Sequence, residues 1–345
     1  MSLEIRELKK ADEKIWDEYV YRSADSTFFH QIGWKRVVEK TYGHKPIYLV
    51  AEEDGEIKGV LPLFLMKSRI FGKKLVSVPF APYGGVCADN ERIKKSILQE
   101  AEEIAKKYKV DYMEFRNLTK MNGTRYDVAT HYTTFIIQLT QDLNETWQSL
   151  RRDKKKGVKK AKKVGLDIEW GEEIDTFYTV YSKVMKELGT PAHRYSFFEN
   201  IRKEFPKSFK ILEIKHDKKT ICCKFLLSFK DTLISMWGVT LKGYKRFHPY
   251  DLANWESIIY GHKFGYRYLD LGRCLVNSGV YNYKEGWSRQ PKQLYYYYFY
   301  LKNKYRVTPD TSQSNPRRKT FAKIWKRLPL RLVQFLSPIL RKNFP

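Results

Sequence analysis

The strongest constraint on the fold is an order of predicted elements that occurs twice along the chain. In the first half, a hairpin turning at Asp54-Gly55 is followed by a helix over 91–108 and a strand over 110–115. In the second half, a hairpin turning at Asp217-Lys218 is followed by a helix over 251–264 and a strand over 266–271. The spacings are similar, so we interpret the chain as two mixed α/β units. A chance likeness of ordinary hairpins is the alternative.

This repeat predicts the domain boundaries. We expect a first domain, a basic connecting helix, a second domain and a basic C-terminal tail over 1–150, 151–165, 166–310 and 311–345. Each domain is predicted to be a mixed, mostly antiparallel sheet flanked by helices, which makes the fold class α/β (α+β). Residues 4–25 carry a helical pattern, and Trp147 with Leu150 predicts a helix that continues into the basic run.

Charge distinguishes this chain from an average globular protein. Its 345 residues include 65 Lys+Arg and only 39 Asp+Glu, a formal net charge of +26. Such a charge favours RNA, DNA, anionic lipid or phosphorylated precursors as partners, without choosing among them. The four cysteines and seven histidines show no metal-ligand spacing, so we expect no metal site and a reducing compartment.

Part of this charge lies in a run over 151–163 that holds nine cations and one acid. In a solvated linker these like charges would repel one another. Against a phosphate-bearing ligand, each contact would add affinity that falls steeply with salt. Both interpretations remain open. The residues assigned to RNA or phosphate binding are Arg151, Arg152, Lys155, Lys159 and Lys160.

The tail over 317–345 contains no acidic residue, and its apolar residues fall at helical spacing between cations. This pattern is typical of a helix that lies on anionic lipid, into which Trp325 or Phe335 would insert. A helix docked on the protein's own surface is the alternative. The chain shows no signal peptide and no apolar run of about 18 residues. We therefore expect a cytoplasmic protein, either free or peripheral on the inner face of the cell membrane.

Residues 268–287 combine a short apolar strand with a polar loop. The strand over 268–271 breaks at Gly272, and the chain then carries several polar groups before the next apolar run near Leu294. Polar side chains at the end of a strand are typical of a site on a rigid scaffold, and a solvated loop is the alternative. The polar residues are Asp270, Arg273, Asn277, Lys284 and Glu285.

Over roughly residues 5–305 the chain resembles the FemAB family of aminoacyl and peptidyl transferases, which are built from two GNAT-like domains. It is similar above all to short members from envelope and exopolysaccharide loci. The order and spacing of seven motifs carry the resemblance: Phe28–Lys35, Gly59–Leu63, Pro79–Gly85, Lys159–Gly165, Leu188–Pro191, Leu269–Arg273 and Gly279–Trp287.

The resemblance implies acyl transfer to an amine. In the best-understood members, the amino group of a peptidoglycan precursor attacks the ester of an aminoacyl-tRNA. Lys284 matches the family lysine thought to polarise the ester carbonyl, and Asp270 is the candidate base, with a structural role as its alternative. The residues assigned to substrate binding are Lys35, Arg36, Tyr83, Arg273, Tyr281 and Tyr283.

One departure from ordinary acetyl-CoA enzymes affects the choice of donor. Residues 243–252 lack the Gln-x-x-Gly-x-Gly pattern whose amides bind pyrophosphate at a helix start. We therefore expect no bound cofactor and aminoacyl-tRNA as co-substrate, with a nucleotide- or lipid-linked envelope precursor as acceptor. The alternatives are an N-acyltransferase that uses acyl-CoA or another carrier, and a non-catalytic protein that binds RNA or membrane.

Overall fold

The computed structural model describes residues 3–68, 72–140, 142–302 and 316–344. The chain forms two compact units. The first consists of Met1–His131, Gln293–Ser312 and Ile339–Pro345, and the second of Tyr132–Lys292 and Gln313–Pro338.

Each unit is built on an eight-stranded sheet. The strands in chain order are β1 (Glu4–Glu7), β2 (Lys45–Glu53), β3 (Glu56–Ser68), β4 (Gly72–Ser77), β5 (Cys87–Ala88), β6 (Tyr112–Asn117), β7 (Asp127–Ala129), β8 (Tyr132–Gln138), β9 (Asp167–Gly171), β10 (Phe209–His216), β11 (Lys219–Phe229), β12 (Thr232–Thr240), β13 (Tyr268–Asp270), β14 (Cys274–Leu275), β15 (Pro291–Gln293) and β16 (Tyr295–Tyr300).

The sheets are flanked by α-helices. In chain order these are α1 (Glu13–Arg22), α2 (Ile32–Tyr42), α3 (Glu91–Lys107), α4 (Leu143–Ser149), α5 (Arg152–Val164), α6 (Ile174–Leu188), α7 (Tyr195–Glu204), α8 (Pro249–Lys263), α9 (Gly279–Glu285), α10 (Pro316–Arg327) and α11 (Leu330–Arg341).

The first sheet has the strand order β1-β2-β3-β4-β6-β16-β7, and β5 pairs with β3. Its pairs are antiparallel except β4 with β6, which are parallel because α3 lies between them in the chain. The β2–β3 hairpin turns at Asp54 and Gly55, which both have positive φ, as a type I′ turn requires. The predicted helix over 4–25 is wrong at its start, because Glu4–Glu7 pairs with β2.

The second sheet has the order β14-β8-β13-β12-β11-β10-β9, with β15 paired to β8. The predicted hairpin is present, since Asp217 and Lys218 turn with φ of +49° and +61° between β10 and β11. Helix α8 connects β12 to β13, which pair in parallel. This repeats the strand–helix–strand order of the first unit and confirms the predicted tandem architecture.

Two strands, β8 and β16, pair in a different sheet from the one that their position in the sequence suggests. β8 follows β7 in the chain but pairs with β13 and β14 in the second sheet. β16 comes after the second unit but pairs with β6 and β7 in the first sheet. The structural boundaries therefore differ from the predicted ones at 150, 166 and 310, because hydrogen bonding rather than sequence position decides which sheet a strand completes.

The basic run forms a helix of the second unit, and the tail forms two helices that belong to that unit as far as Pro338. The predicted single helix through Leu150 is wrong: α4 ends at Ser149, Leu150 is buried, and α5 starts after Arg151. In the tail, Trp325, Val333 and Ser337 are buried, so the expected insertion of Trp325 into lipid is also wrong. Among the residues described, no helix is both long and apolar enough to cross a bilayer.

Candidate active site

The candidate site lies where β13 ends in the second unit. Asp270 is the last residue of the strand and is buried. Its Oδ1 accepts hydrogen bonds from the Thr134 hydroxyl and, at 2.7 Å, from the amide of Gly272. Gly272 has a φ of +78°, and a Cβ there would lie 2.9 Å from the Ser235 carbonyl oxygen. The carboxylate therefore holds a sharp turn that only glycine fits without strain.

Lys284 points its ammonium at this turn. It lies on α9, whose start is capped by Ser278 accepting from the Tyr281 amide. Its Nζ donates to the carbonyl oxygens of Gly272, at 2.7 Å, and Arg273, at 3.3 Å. Burial lowers the pKa of Lys284, against the opposing effect of Asp270 and Cys274. A buried ammonium held by neutral carbonyls can still direct a proton at a polarised substrate oxygen.

The neighbouring Tyr283 is engaged by the protein itself. Its hydroxyl donates to Asp251 Oδ1 at 2.6 Å and accepts from Asn254 Nδ2 at 3.1 Å. The Lys154 ammonium lies 3.8 Å from the centre of its ring, and His248 Nδ1 lies 3.0 Å from Asp251 Oδ2. These contacts tie α9 to α8 and α5, so they give Tyr283 a structural role. Its predicted substrate contact stays a prediction.

A second buried lysine adjoins this network and was missed by sequence reasoning. Lys224, in the middle of β11, is fully buried and donates to Asn254 Oδ1 at 2.8 Å and Ser257 Oγ at 3.0 Å. Burial, opposed by Cys222 and reinforced by the charge of Lys284, lowers the pKa of Lys224 to about 7. The signal in the sequence was one lysine inside the apolar run Ile221–Phe229.

The other predicted residues of the second unit lie around α9. Arg273 lies over the ring of Tyr132 at 4.5 Å, and the ring of Tyr281 packs edge-on against Phe135. Arg151 pairs with Asp153 at 2.6 Å, and its amide donates to the Gly286 carbonyl. Arg151 thus braces the end of α9. No cluster of three or more metal-ligating side chains occurs within the described part of the chain.

Helix α5 has an inner and an outer face. Gly157, Val158 and Ala161 are buried, and a Cβ on Gly157 would clash with Asp251. Of the predicted phosphate-binding residues, Lys155 donates to the Gln148 carbonyl. The outer face adds three lysines that the prediction left out. Its exposed cations are Arg152, Lys156, Lys159, Lys160, Lys162 and Lys163.

In the first unit, Lys35 and Arg36 share one acidic partner. Lys35 Nζ lies 2.7 Å from Glu13 Oε1, and Arg36 pairs with the other oxygen of the same carboxylate. Because Glu13 partly neutralises them, a phosphate would compete with it for both cations. Their predicted role in acceptor binding therefore stays a prediction.

The predicted turn around Tyr83 is strained and buried. Val78 and Phe80 have φ of +41° and +67°, which is rare for side chains with a Cβ. Arg116 donates to the Ala81 carbonyl at 2.9 Å, and Tyr296 donates to the Pro82 carbonyl at 2.6 Å. Strain of this kind persists only where surrounding contacts enforce it, and such turns cluster at functional sites.

The fold matches that of several solved structures. FemX, a solved structure, is 14% identical to the chain, with a TM-score of 0.67 over 88% of this chain and 99% of the FemX chain. The chain has a FemAB-like double-GNAT fold. Residues 148–285 of this double-GNAT protein also match the family model "Acetyltransferase (GNAT) domain".

Two other solved structures are similar to the chain in fold. The C-terminal domain of a putative lysylphosphatidylglycerol synthetase from Agrobacterium fabrum is 11% identical, with a TM-score of 0.58 over 84% of this chain and 91% of its own. A tandem GNAT protein from the clavulanic acid biosynthesis pathway is 10% identical, with a TM-score of 0.57 over 87% and 98%. No curated protein sequence matches the chain. Together the domain match and the fold support the prediction that this double-GNAT protein is an acyltransferase.

Proposed function

We propose that the protein is a FemAB-type aminoacyltransferase that acts on a cell-envelope precursor. An amine of the precursor attacks the ester carbonyl of an aminoacyl-tRNA. The new C–N bond replaces the C–O bond to the terminal ribose, and the proton lost by the amine passes to the ribose oxygen. The similarity to FemX, and to a domain described as part of a lysylphosphatidylglycerol synthetase, supports this choice of substrates.

The position of Lys284 carries the proposal. Its ammonium is buried at the end of β13 and held by two carbonyl oxygens. In the proposed reaction it stabilises the oxyanion that forms on the ester carbonyl, an effect worth roughly 3 kcal/mol in a water-excluded site. Asp270 holds the turn through Oδ1, which accepts two hydrogen bonds, and its predicted role as base stays a prediction.

The outer face of α5 supports tRNA as the carrier of the donor. Six exposed cations follow one another along that face, from Arg152 to Lys163. A rigid row of cations suits an RNA backbone better than a single small phosphate group, because each cation meets a separate phosphate. The predicted Lys159 and Lys160 belong to this row.

An acyl-CoA-dependent N-acyltransferase is the second candidate. It is favoured by the match of residues 148–285 to an acetyltransferase domain. The start of α8, where a pyrophosphate would bind in such a domain, is occupied by His248, with a φ of +56° and its ring against Asp251. This carboxylate at the helix start disfavours an anionic cofactor there.

A donor assay separates the two candidates. Purified protein is incubated with radiolabelled aminoacyl-tRNA and a membrane extract, with and without RNase, beside a parallel reaction with labelled acetyl-CoA. We expect label in an extractable precursor only from aminoacyl-tRNA, lost with RNase and in Lys284→Met. Label from acetyl-CoA alone would overturn the tRNA proposal. Lys203→Met, which removes an exposed lysine from α7, is the control for loss of charge.

The proposal includes a peripheral position on the inner face of the cell membrane, where lipid-linked precursors are found. The helices of the tail bury Trp325 and Val333 and leave other apolar side chains exposed. Ile324 and Phe335 are 59% and 69% exposed, and the exposed cations around them are Lys323, Lys326, Arg327 and Arg331. An apolar face flanked by cations fits anionic lipid.

A further inference from the structure

Lys224 is a costly residue to keep where it is. It is fully buried in the central part of a sheet, and its two hydrogen-bond acceptors, Asn254 and Ser257, are neutral. A buried ammonium without a carboxylate partner loses its hydration with little in return. A methionine would fill similar volume without that cost, so the lysine must supply something that an apolar side chain would not.

Its hydrogen bonds lead to the helix that carries Lys284. Lys224 holds the Asn254 carbonyl oxygen, which leaves the Asn254 amide nitrogen to donate to the Tyr283 hydroxyl at 3.1 Å. Tyr283 in turn donates to Asp251 at 2.6 Å. A neutral amine has two N–H donors, and they match the two acceptors, Asn254 Oδ1 and Ser257 Oγ. The series therefore fixes the residue next to Lys284.

Burial and the charge of Lys284 favour this neutral form, and they outweigh the opposing effect of the buried Cys222, two residues earlier on β11. The ring of Tyr250 on α8, 5.8 Å from the amine, also favours the charged form. Lys284 itself faces Asp270, Arg273 and Cys274. While Lys284 is charged, protonation of Lys224 would place a second ammonium in the same interior.

We propose that Lys224 is a positioning residue, which as a neutral amine holds Asn254 and, through Tyr283, fixes the short helix that presents Lys284. This rests on the proposed function for the catalytic role of Lys284, but the coupling between the two lysines does not. When Lys224 takes up a proton, it requires a third acceptor and the arrangement loosens. The rate of acyl transfer should therefore fall at acidic pH as Lys224 takes up a proton, which gives the pH–rate profile an acidic limb.

The charge coupling is tested without substrate, by NMR titration of protein labelled with [ε-13C]lysine. We expect one lysine resonance to titrate near pH 7, to be absent from Lys224→Met, and to move to higher pH in Lys284→Met. The matched control is Lys74→Met, which removes a buried lysine of the first unit and should leave that resonance unchanged. The coupling would be overturned if the Lys224 resonance titrated with the ordinary pKa of lysine, or if its titration did not change in Lys284→Met.

The positioning role is tested by transfer kinetics with whichever donor proves active. We expect Lys224→Met and Tyr283→Phe each to lower kcat about tenfold to a hundredfold, and the double variant to be no worse than the poorer single one. Lys224→Met should also lose the acidic side of the pH–rate profile near pH 7, and Tyr283→Phe should lose it too, because the hydrogen-bond series is then broken at Tyr283. Circular dichroism confirms that the variants fold. Additive losses, or an acidic limb that persists in Lys224→Met, would refute the proposal.

Discussion

The ammonium of Lys284 is the group on which catalysis should depend most. Burial of this ammonium against two carbonyl oxygens lowers the free energy of unfolding. We expect the same ammonium to stabilise the transition state of the reaction. We expect Lys284→Met to lower kcat/KM by about two orders of magnitude and to leave the melting temperature unchanged or higher. Steady-state kinetics and thermal unfolding check this together. Equal losses in Lys203→Met would show that only overall charge matters.

Lys224 should give the stability of the protein a distinctive dependence on pH. Its pKa falls from 10.5 to about 7 on folding, so between these values the unfolded chain binds a proton that the folded one does not. The free energy of unfolding should therefore rise with pH across that window, by about 1.4 kcal/mol per pH unit from Lys224. Below pH 7 the lysine is protonated in both states, so its contribution no longer changes with pH. Urea unfolding at pH 7 and pH 9 measures the rise.

The matched comparison for this window is Lys224→Met, which should reduce the difference in unfolding free energy between the two pH values. Lys203→Met should keep the wild-type difference, because that lysine is exposed in the folded protein. If Lys224→Met keeps the full difference as well, the rise comes from other groups.

For single residues, the sequence revealed the polar side chains that follow a strand but not the buried polar side chains between a strand and a helix. Asp270, Gly272 and Lys284 stood out because polar groups followed a short apolar run. Lys224 did not, since its partners Asn254 and Ser257 lie about thirty residues away on α8. Only the packing of α8 on β11 brings the three side chains together.

Among the elements, α5 offers a direct test of RNA binding. We expect the triple variant Lys156→Gln/Lys159→Gln/Lys163→Gln to weaken tRNA binding and to lower the slope of log K against log salt by roughly two to three. The reason is that these residues share the exposed face of one rigid helix. Filter binding across a range of salt concentrations measures both effects.

The control for this variant removes three exposed lysines from the first unit, as Lys10→Gln/Lys14→Gln/Lys40→Gln. It changes the net charge equally but leaves α5 intact, so the salt slope should stay close to that of the wild type. Equal losses in the two triple variants would assign tRNA binding to net charge rather than to α5.

Local pattern predicted most elements, and it failed where tertiary contacts decide. The β2–β3 and β10–β11 hairpins were predicted because their turns lie in the sequence itself. The break between α4 and α5 was not predicted, since it depends on Leu150 entering the core and on Arg151 bonding to Gly286. The strand Glu4–Glu7 was missed for a similar reason: its partner β2 lies some forty residues away.

For the whole chain, the duplication was visible in the sequence, but the exchange of strands was not. β8 and β16 have ordinary strand patterns, and nothing local states which sheet each will complete. The tail shows the same limit, because its helical spacing left two interpretations open. In the structure Trp325 faces the protein and Phe335 faces outward, so the membrane interpretation stays a prediction.

The outward face of the tail should bind anionic membranes. With a net charge of +26, the protein will approach any anionic surface, so the tail must be tested by its apolar residues. We expect co-sedimentation with vesicles containing phosphatidylglycerol but not with purely zwitterionic ones, weakened at least tenfold in Ile324→Ser/Phe335→Ser. The control Ile168→Ser/Phe264→Ser removes exposed apolar residues elsewhere on the second unit and keeps every charge. If both pairs bind equally well, attraction to lipid comes from charge alone, and the tail is only a docked helix pair.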